Sequence, residues 1–273
     1  MNLNLLPGRI SQAIKLETLA LFTPDCGLVY AVRKWLAVIL NKRKIKILGT
    51  DFYYEDRLFP FFTCAYIAEI TKILNICECN QVESPRVLDV GANIGVWARA
   101  FLHHCPNAVI YSFEPNPQPY SYLKKNSENF GGWKIFNFGL SGESKIIDLY
   151  YVPGKSGQGS FFKENANLNL LSSCEVTYVP VCIQSLTKEF LTQQGGGNYF
   201  DIVKIDVEGA ERNVVEGLKD IQWGCMYVEL SINRAGANTV ESFMKLLHNY
   251  WPNARIIEYD HGKICGDIYV ANN

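Results

Sequence analysis

The chain has almost no excess of charge, few histidines, no internal repeat and no long uninterrupted apolar run. Its 26 Lys/Arg against 27 Asp/Glu leave a net charge of −1, so nothing electrostatic points to nucleic acid as the main partner. The nine cysteines (Cys26, Cys64, Cys77, Cys79, Cys105, Cys174, Cys182, Cys225 and Cys265) follow no spacing of a zinc or disulfide framework. Only Cys77-Glu78-Cys79 is a close pair. Free cysteine usually behaves as a small buried hydrophobe, so unpaired thiols and a reducing, cytoplasmic setting are expected. The N-terminus shows no basic segment followed by an apolar stretch and a cleavage site. The apolar run 28–40 is too short to span a bilayer and carries Arg33 and Lys34.

What is present is ample core material, 48% apolar residues in 273, enough for one large domain with an appendage. Charge is uneven along the chain. The first fifty residues hold eight Lys/Arg against Glu17 and Asp25. The basic cluster 42–46 reads as a solvated face, with weak contact to a membrane surface as the alternative. Residues 1–84 read as a mainly helical extension, with helices at 9–22, 28–41 and 60–77 and a short strand at 44–48. From Arg86, short β-rich runs alternate with helical stretches, the pattern of βαβ units. Strands are expected at 86–90, 108–113, 133–138, 201–207, 225–230, 255–259 and 268–270, the last two antiparallel. This predicts a doubly wound, mostly parallel seven-stranded α/β sheet over 85–273. Residues 143–182 break the rhythm and read as an inserted hairpin with a mobile tip.

Three segments carry chemistry. Val87-Leu88-Asp89-Val90-Gly91-Ala92-Asn93-Ile94-Gly95 runs a buried strand into a small-residue turn and a helix, where a ligand can approach the backbone. The spacing is not that of dinucleotide binders, and Asp89 suits a ligand with an ammonium group better than one with a pyrophosphate. Glu114, before Pro115-Asn116-Pro117, closes the second strand, where a carboxylate can accept hydrogen bonds from two ribose hydroxyls. In Lys204-Ile205-Asp206-Val207-Glu208-Gly209-Ala210-Glu211, strand periodicity points Lys204, Asp206 and Glu208 to one side. That is either an active-site wall or a helix-capping acid with an ion pair.

The stretches VLDVGANIG (87–95), FEPNP (113–117), IVKIDVEGAE (202–211) and YVELS (227–231) resemble FkbM-type methyltransferases in order and spacing. The resemblance implies the Rossmann-like fold of S-adenosylmethionine (SAM) enzymes and methylation of a hydroxyl on a sugar, glycan or natural-product metabolite. It places Asp89, Gly91, Ala92, Asn93 and Gly95 around the amino-acid end of SAM. It puts Glu114, with Pro115 and Asn116, on the ribose, Phe138 and Gly139 near the adenine, and Asp206 near the methyl. The family often has Thr-Leu-Asp where this chain has Ser185-Leu186-Thr187, so that acid is absent. Asp206 or Glu208 would be the proton acceptor, oriented by Lys204, with His261 the next candidate. A nitrogen acceptor, a Mg²⁺-assisted reaction using Asp206 and Glu208 and a catalytically idle SAM-binding partner protein are the alternatives, and the oligomeric state is open; Asn93 in the turn and the antiparallel C-terminal pair argue against a nucleotide-dependent oxidoreductase. The aromatic runs 52–54 and 59–62 read as core. His103, His104 and His248 read as helix-end or surface residues.

Overall fold

The computed structural model describes residues 36, 40, 43–47, 49–54, 63–77, 82–153, 155–167, 175–232, 239–260 and 265–272. Save for Leu36 and Leu40, the helices expected at 9–22 and 28–41 lie outside these residues, as do the run 59–62 and His261.

The described chain opens with an antiparallel hairpin, β1 (Lys44–Ile47) and β2 (Thr50–Tyr53), followed by helix α1 (Thr63–Ile76). Next come β3 (Arg86–Val90), α2 (Val96–His104), β4 (Val109–Phe113), α3 (Pro117–Ser127) and β5 (Trp133–Phe136). Then follow β6 (Gly139–Leu140), β7 (Lys145–Val152), β8 (Lys155–Ser160) and β9 (Thr177–Gln184). The chain finishes with α4 (Lys188–Gln193), β10 (Tyr199–Ile205), α5 (Glu211–Gly217), β11 (Gln222–Ser231), α6 (Val240–Tyr250), β12 (Ala254–Asp260) and β13 (Cys265–Asn272).

The main sheet has the order β12-β13-β11-β10-β3-β4-β5. Pairing is parallel from β11 to β5, and β13 is antiparallel to both β11 and β12. Only β13 therefore runs against the others, and the expected doubly wound sheet is the one observed. The chain winds outward from β3 in both directions, so the switch point lies between β3 and β10, where open α/β sheets bind ligands at the strand carboxyl ends. One face packs Leu88, Val90, Val203, Ile205 and Val228 against α5 and α6. The other packs Val87, Ile110, Ile202, Tyr227 and Tyr269 under α1 and α2, with Ile70, Ile73 and Leu74 of α1 buried in that layer. Phe52 and Tyr54 are buried, as expected of core aromatics.

Several expectations are corrected. The strand expected at 133–138 ends at Phe136, because Asn137 turns the chain by donating to the carbonyls of Glu114 and Pro115. The strand expected at 201–207 ends at Ile205, which leaves Asp206 just past its end. The insertion is a four-stranded sheet, order β6-β9-β7-β8, rather than a bare hairpin, and part of the expected loop is β8. Its small core is Leu149, Val181 and Ile183. Thr187, at the position where the missing acid would stand, caps α4 by accepting from the Phe190 N–H. Cys77 and Cys225 form a disulfide 148 residues apart in sequence, joining the end of α1 to β11, which overturns the expectation of unpaired thiols for these two, while Cys105 and Cys182 are free. The cysteine-based reason for a reducing compartment lapses with it. No described helix is long and apolar enough to cross a membrane.

Candidate active site

The register of the sheet builds the site in tiers on the face beneath α1. The lowest tier is apolar: Val87, Ile110 and Ile202. Two residues further along each strand, side chains return to that face. They form a polar row of Ser112, Asp89, Lys204, Tyr227 and Tyr269, each level with the next. The next step at the strand ends brings Glu114, Gly91, Asp206, Glu229 and Asp267. Hydrophobic burial thus anchors strands whose carboxyl ends carry the ionisable groups.

The polar row is joined by polar contacts from Ser112 to Lys204. The Trp133 indole N–H donates to Ser112 Oγ (2.9 Å), whose hydroxyl donates to Asp89 Oδ2 (2.9 Å). Lys204 Nζ lies 3.2 Å from Asp89 Oδ1 and 3.7 Å from Asp206 Oδ2, and donates to the Gly91 carbonyl at 2.8 Å. A buried ammonium needs such partners, since desolvation would otherwise expel it.

The turn after β3 has the conformation its small residues foretell. Gly91, Asn93 and Gly95 all have positive φ (79°, 51° and 89°). A Cβ at Gly91 would stand 1.9 Å from the Asp206 backbone oxygen, so the close approach of the turn to the end of β10 requires glycine. Glu114 is buried and pins this turn, accepting from the Asn93 N–H and the Asn116 N–H at 2.8 Å each. Burial pushes its carboxyl up to about 7, against the pull of those two N–H groups and Lys204. Beside it, Asn93 Oδ1 and Asn116 Nδ2 are buried without a hydrogen-bond partner. Unpaired polar atoms next to a glycine turn and a carboxylate fit a polar ligand such as the ribose and amino-acid portions of SAM. Ala92 is buried and donates its N–H to Phe113, while Gly139 packs on Pro115 and Ile183. Phe138 stands edge-on to Phe113 and Phe190.

At the end of β10, Asp206 and Glu208 do come together. Glu208 leaves the strand in a left-handed turn (φ 50°), yet its carboxylate, that of Asp206 and that of Glu229 all lie within 4.8 Å of one another. They could share a divalent cation, but three carboxylates this close are common without one and assign no metal. Glu211 is the structural acid of this segment. Fully buried, it accepts from the Gly209 N–H (2.9 Å) and the Ser231 hydroxyl (2.8 Å), locking the turn. Ser160 and Asn165 of the insertion both donate to the Glu208 carbonyl.

Three acids escaped the sequence reading. Glu229 and Asp267 face each other across β11 and β13, and Asp267 accepts from the Tyr227 hydroxyl at 3.2 Å. Glu69 is the third, half-buried on α1 and within electrostatic reach of Asp267, Asp206 and Lys204. Burial pushes its carboxyl up to about 8, with Asp267 and Asp206 adding to the rise. Lys204 and the nearby Trp97 N–H oppose it, the latter outside hydrogen-bond geometry. The available signal was one acid in the mostly apolar stretch Ala65–Ile70. Of the histidines, His103 and His104 end α2, and His248 Nε2 pairs with the Ala254 carbonyl.

Comparison with known proteins follows the same geometry. Residues 89–250 match the methyltransferase FkbM domain. Methyltransferase 1 of Beauveria bassiana is 26% identical over 196 residues, covering 64% of this chain and 78% of that protein. The 2-O-methyltransferase NoeI of Sinorhizobium fredii is 26% identical over 146 residues, 50% of this chain and 58% of that protein. The hexuronic acid methyltransferase AglP of Haloferax volcanii is 25% identical over 218 residues, 75% of this chain and 82% of that protein.

Proposed function

On the premise that this chain belongs to the FkbM methyltransferase family, we propose that it methylates a hydroxyl of a sugar, glycan or similarly hydroxylated small molecule. It is an SAM-dependent methyltransferase. The observation that carries the hydroxyl reading is the group of carboxylates at the ends of β10 and β11, beside the cofactor turn. Aliphatic hydroxyls are poor nucleophiles and gain from a proton acceptor. Relatives named for 2-O-methylation and for a hexuronic acid support the choice of acceptor.

In this reading Asp89, Gly91, Ala92, Asn93 and Gly95 hold the amino-acid end of SAM. Glu114, with Pro115 and Asn116, holds the ribose, and Phe138 and Gly139 border the adenine. SAM supplies an electrophilic methyl group when bound. The chain holds the acceptor oxygen in line with it, which accounts for much of the rate in such displacements. Asp206 or Glu208 takes the acceptor's proton, and Lys204 orients Asp206. The acceptor sits over the β10–β11–β13 half of the sheet. The partner is a small molecule or a glycan, and not nucleic acid. The decisive experiment incubates the protein with methyl-labelled SAM and a panel of methyl hexopyranosides and hydroxylated metabolites, with and without chelator. Labelled product resistant to base hydrolysis is expected. Label transferred only to amines would overturn the hydroxyl reading, and no transfer to any compound would favour an idle binding protein.

Two further outcomes concern Glu114. Glu114→Ala should weaken SAM binding at least tenfold by titration calorimetry, because hydrogen bonds to a charged group contribute about 1.5–3 kcal/mol each. The pH dependence follows from its raised pKa. The carboxyl keeps its proton up to about pH 7, and only the ionised form accepts from both ribose hydroxyls. SAM affinity should therefore fall as pH drops through 7, and Glu114→Gln should flatten that fall.

A further inference from the structure

The hairpin β1–β2 lies outside the segment that matches the family, residues 89–250, yet it is built onto the glycine turn. Its Ile45 and Phe52, with Tyr54 just after β2, form one buried cluster with Ile94 of that turn, against which Val96 and Tyr122 pack. Thr50, at the start of β2, makes a second link. Its hydroxyl accepts from Nε (3.0 Å) and Nη2 (2.8 Å) of Arg99, a buried residue of α2.

The third link is a buried side chain of α3, Asn126. Its Oδ1 accepts from the Tyr53 N–H (2.8 Å), and its Nδ2 donates to the Tyr53 carbonyl (2.9 Å) and to the Ile94 carbonyl (2.8 Å). Only an oxygen can meet the Tyr53 N–H, so the hairpin fixes which end of the amide faces the turn. The Ile94–Gly95 peptide is thereby held at both ends, its carbonyl by Asn126 and its N–H by the Ala92 carbonyl at 2.8 Å. Gly95 and Asn93, on either side of Ile94, are both left-handed. A residue with a side chain keeps that conformation only where its surroundings impose it.

We propose that Asn126 is a positioning residue for the cofactor, and that the hairpin β1–β2, which orients its amide, is part of the SAM site. The inference rests on placing the amino-acid end of SAM at the glycine turn. Without the Asn126 amide the buried Ile94 carbonyl loses its donor, and the turn gains conformations that do not match SAM. Apparent affinity then falls with the fraction of molecules that still hold the fitting one. A ligand that contacts the nucleoside pocket alone escapes most of that loss.

The test is titration calorimetry of the full chain with SAM and with methylthioadenosine, which has the nucleoside but lacks the amino-acid portion. Melting curves establish that each variant is folded at the titration temperature. Asn126→Ala should weaken SAM binding roughly tenfold or more, and methylthioadenosine binding distinctly less. Thr50→Val removes the acceptor of Arg99 and so loosens the hairpin, with every atom of the turn and of Asn126 unchanged. It should weaken SAM binding in the same sense, and it carries the test if Asn126→Ala does not fold. Ser127→Ala, next along α3, loses only a bond to the Lys124 carbonyl within the helix and should leave both affinities unchanged. Equal loss of the two ligands in Asn126→Ala would make Asn126 a general packing residue and overturn the proposal. Unchanged SAM affinity in the folded variants overturns it too and leaves the SAM-dependent reading standing. A loss in Asn126→Ala with none in Thr50→Val overturns the hairpin's part in it. Absence of SAM binding to wild type overturns both the proposal and the reading beneath it.

Discussion

Asp206→Asn or Glu208→Gln should reduce turnover at saturating substrate by about 10²–10⁴-fold, the usual contribution of a general base, while SAM affinity stays near the parent value. The structure gives reasons to expect both variants to fold. Asp206 is the most distant of Lys204's three acceptors at 3.7 Å, so an amide there leaves the ammonium held by Asp89 and the Gly91 carbonyl. The turn at Glu208 is fixed through its main chain, by Ser160, Asn165 and the Glu211 lock on Gly209. Asn and Gln keep the size of the acids, so the comparison isolates charge and basicity. Single-turnover rates with SAM-loaded protein provide the measurement. If both amides react at close to the parent rate, the proton acceptor is another group, with Glu229 the nearest carboxylate.

Lys204→Met should have the largest effect on stability. The ammonium is 4% exposed and its partner Asp89 is fully buried. Removing the cation strands a carboxylate in the sheet, and breaking a buried pair from one side costs about 3–5 kcal/mol. For a domain of this size each kcal/mol moves Tm by about 2–4 °C, so a fall of roughly 6–20 °C is expected in calorimetric or fluorescence melting. The double variant Lys204→Met with Asp89→Asn removes the stranded charge, while the amide still accepts from Ser112. It should recover a large part of the loss. A double variant no more stable than Lys204→Met would show that the damage comes from lost packing or from Asp206 instead.

Much of this was legible in the sequence because local rules and the fold agreed. The glycines and asparagine of 91–95 announced a turn that demands positive φ, and all three positions have it. The period of two correctly paired Lys204 with Asp206, since both still alternate at the strand end. The same rule could not describe Glu208, which meets Asp206 by way of a left-handed turn rather than along a strand. β8 was missed because its sequence, KSGQGS, has no strand preference. Its form comes from hairpin pairing with Tyr150 and Val152 and from the bond of Ser160 to Glu208, 48 residues away. Cys77 with Cys225 and Glu69 with Lys204 are likewise distant in sequence, and no spacing rule brings α1 over β11. The signals that were read are those carried by neighbours along the chain.

The tie between α1 and β11 also bears on biosynthesis. At roughly 5–20 residues per second, the 148 residues separating Cys77 from Cys225 take roughly 7–30 s to emerge from a ribosome. For that interval α1 exists without the strand it covers, its apolar side chains Ile70, Ile73 and Leu74 and its terminal thiol lacking their partners. The β3-to-β5 half, with the glycine turn and Glu114, is complete long before β11 is made. The nascent chain therefore assembles its β3-to-β5 half first and closes the cap last. The stretch from Thr63 to Cys77 is where a holding chaperone or a premature mixed disulfide would engage it.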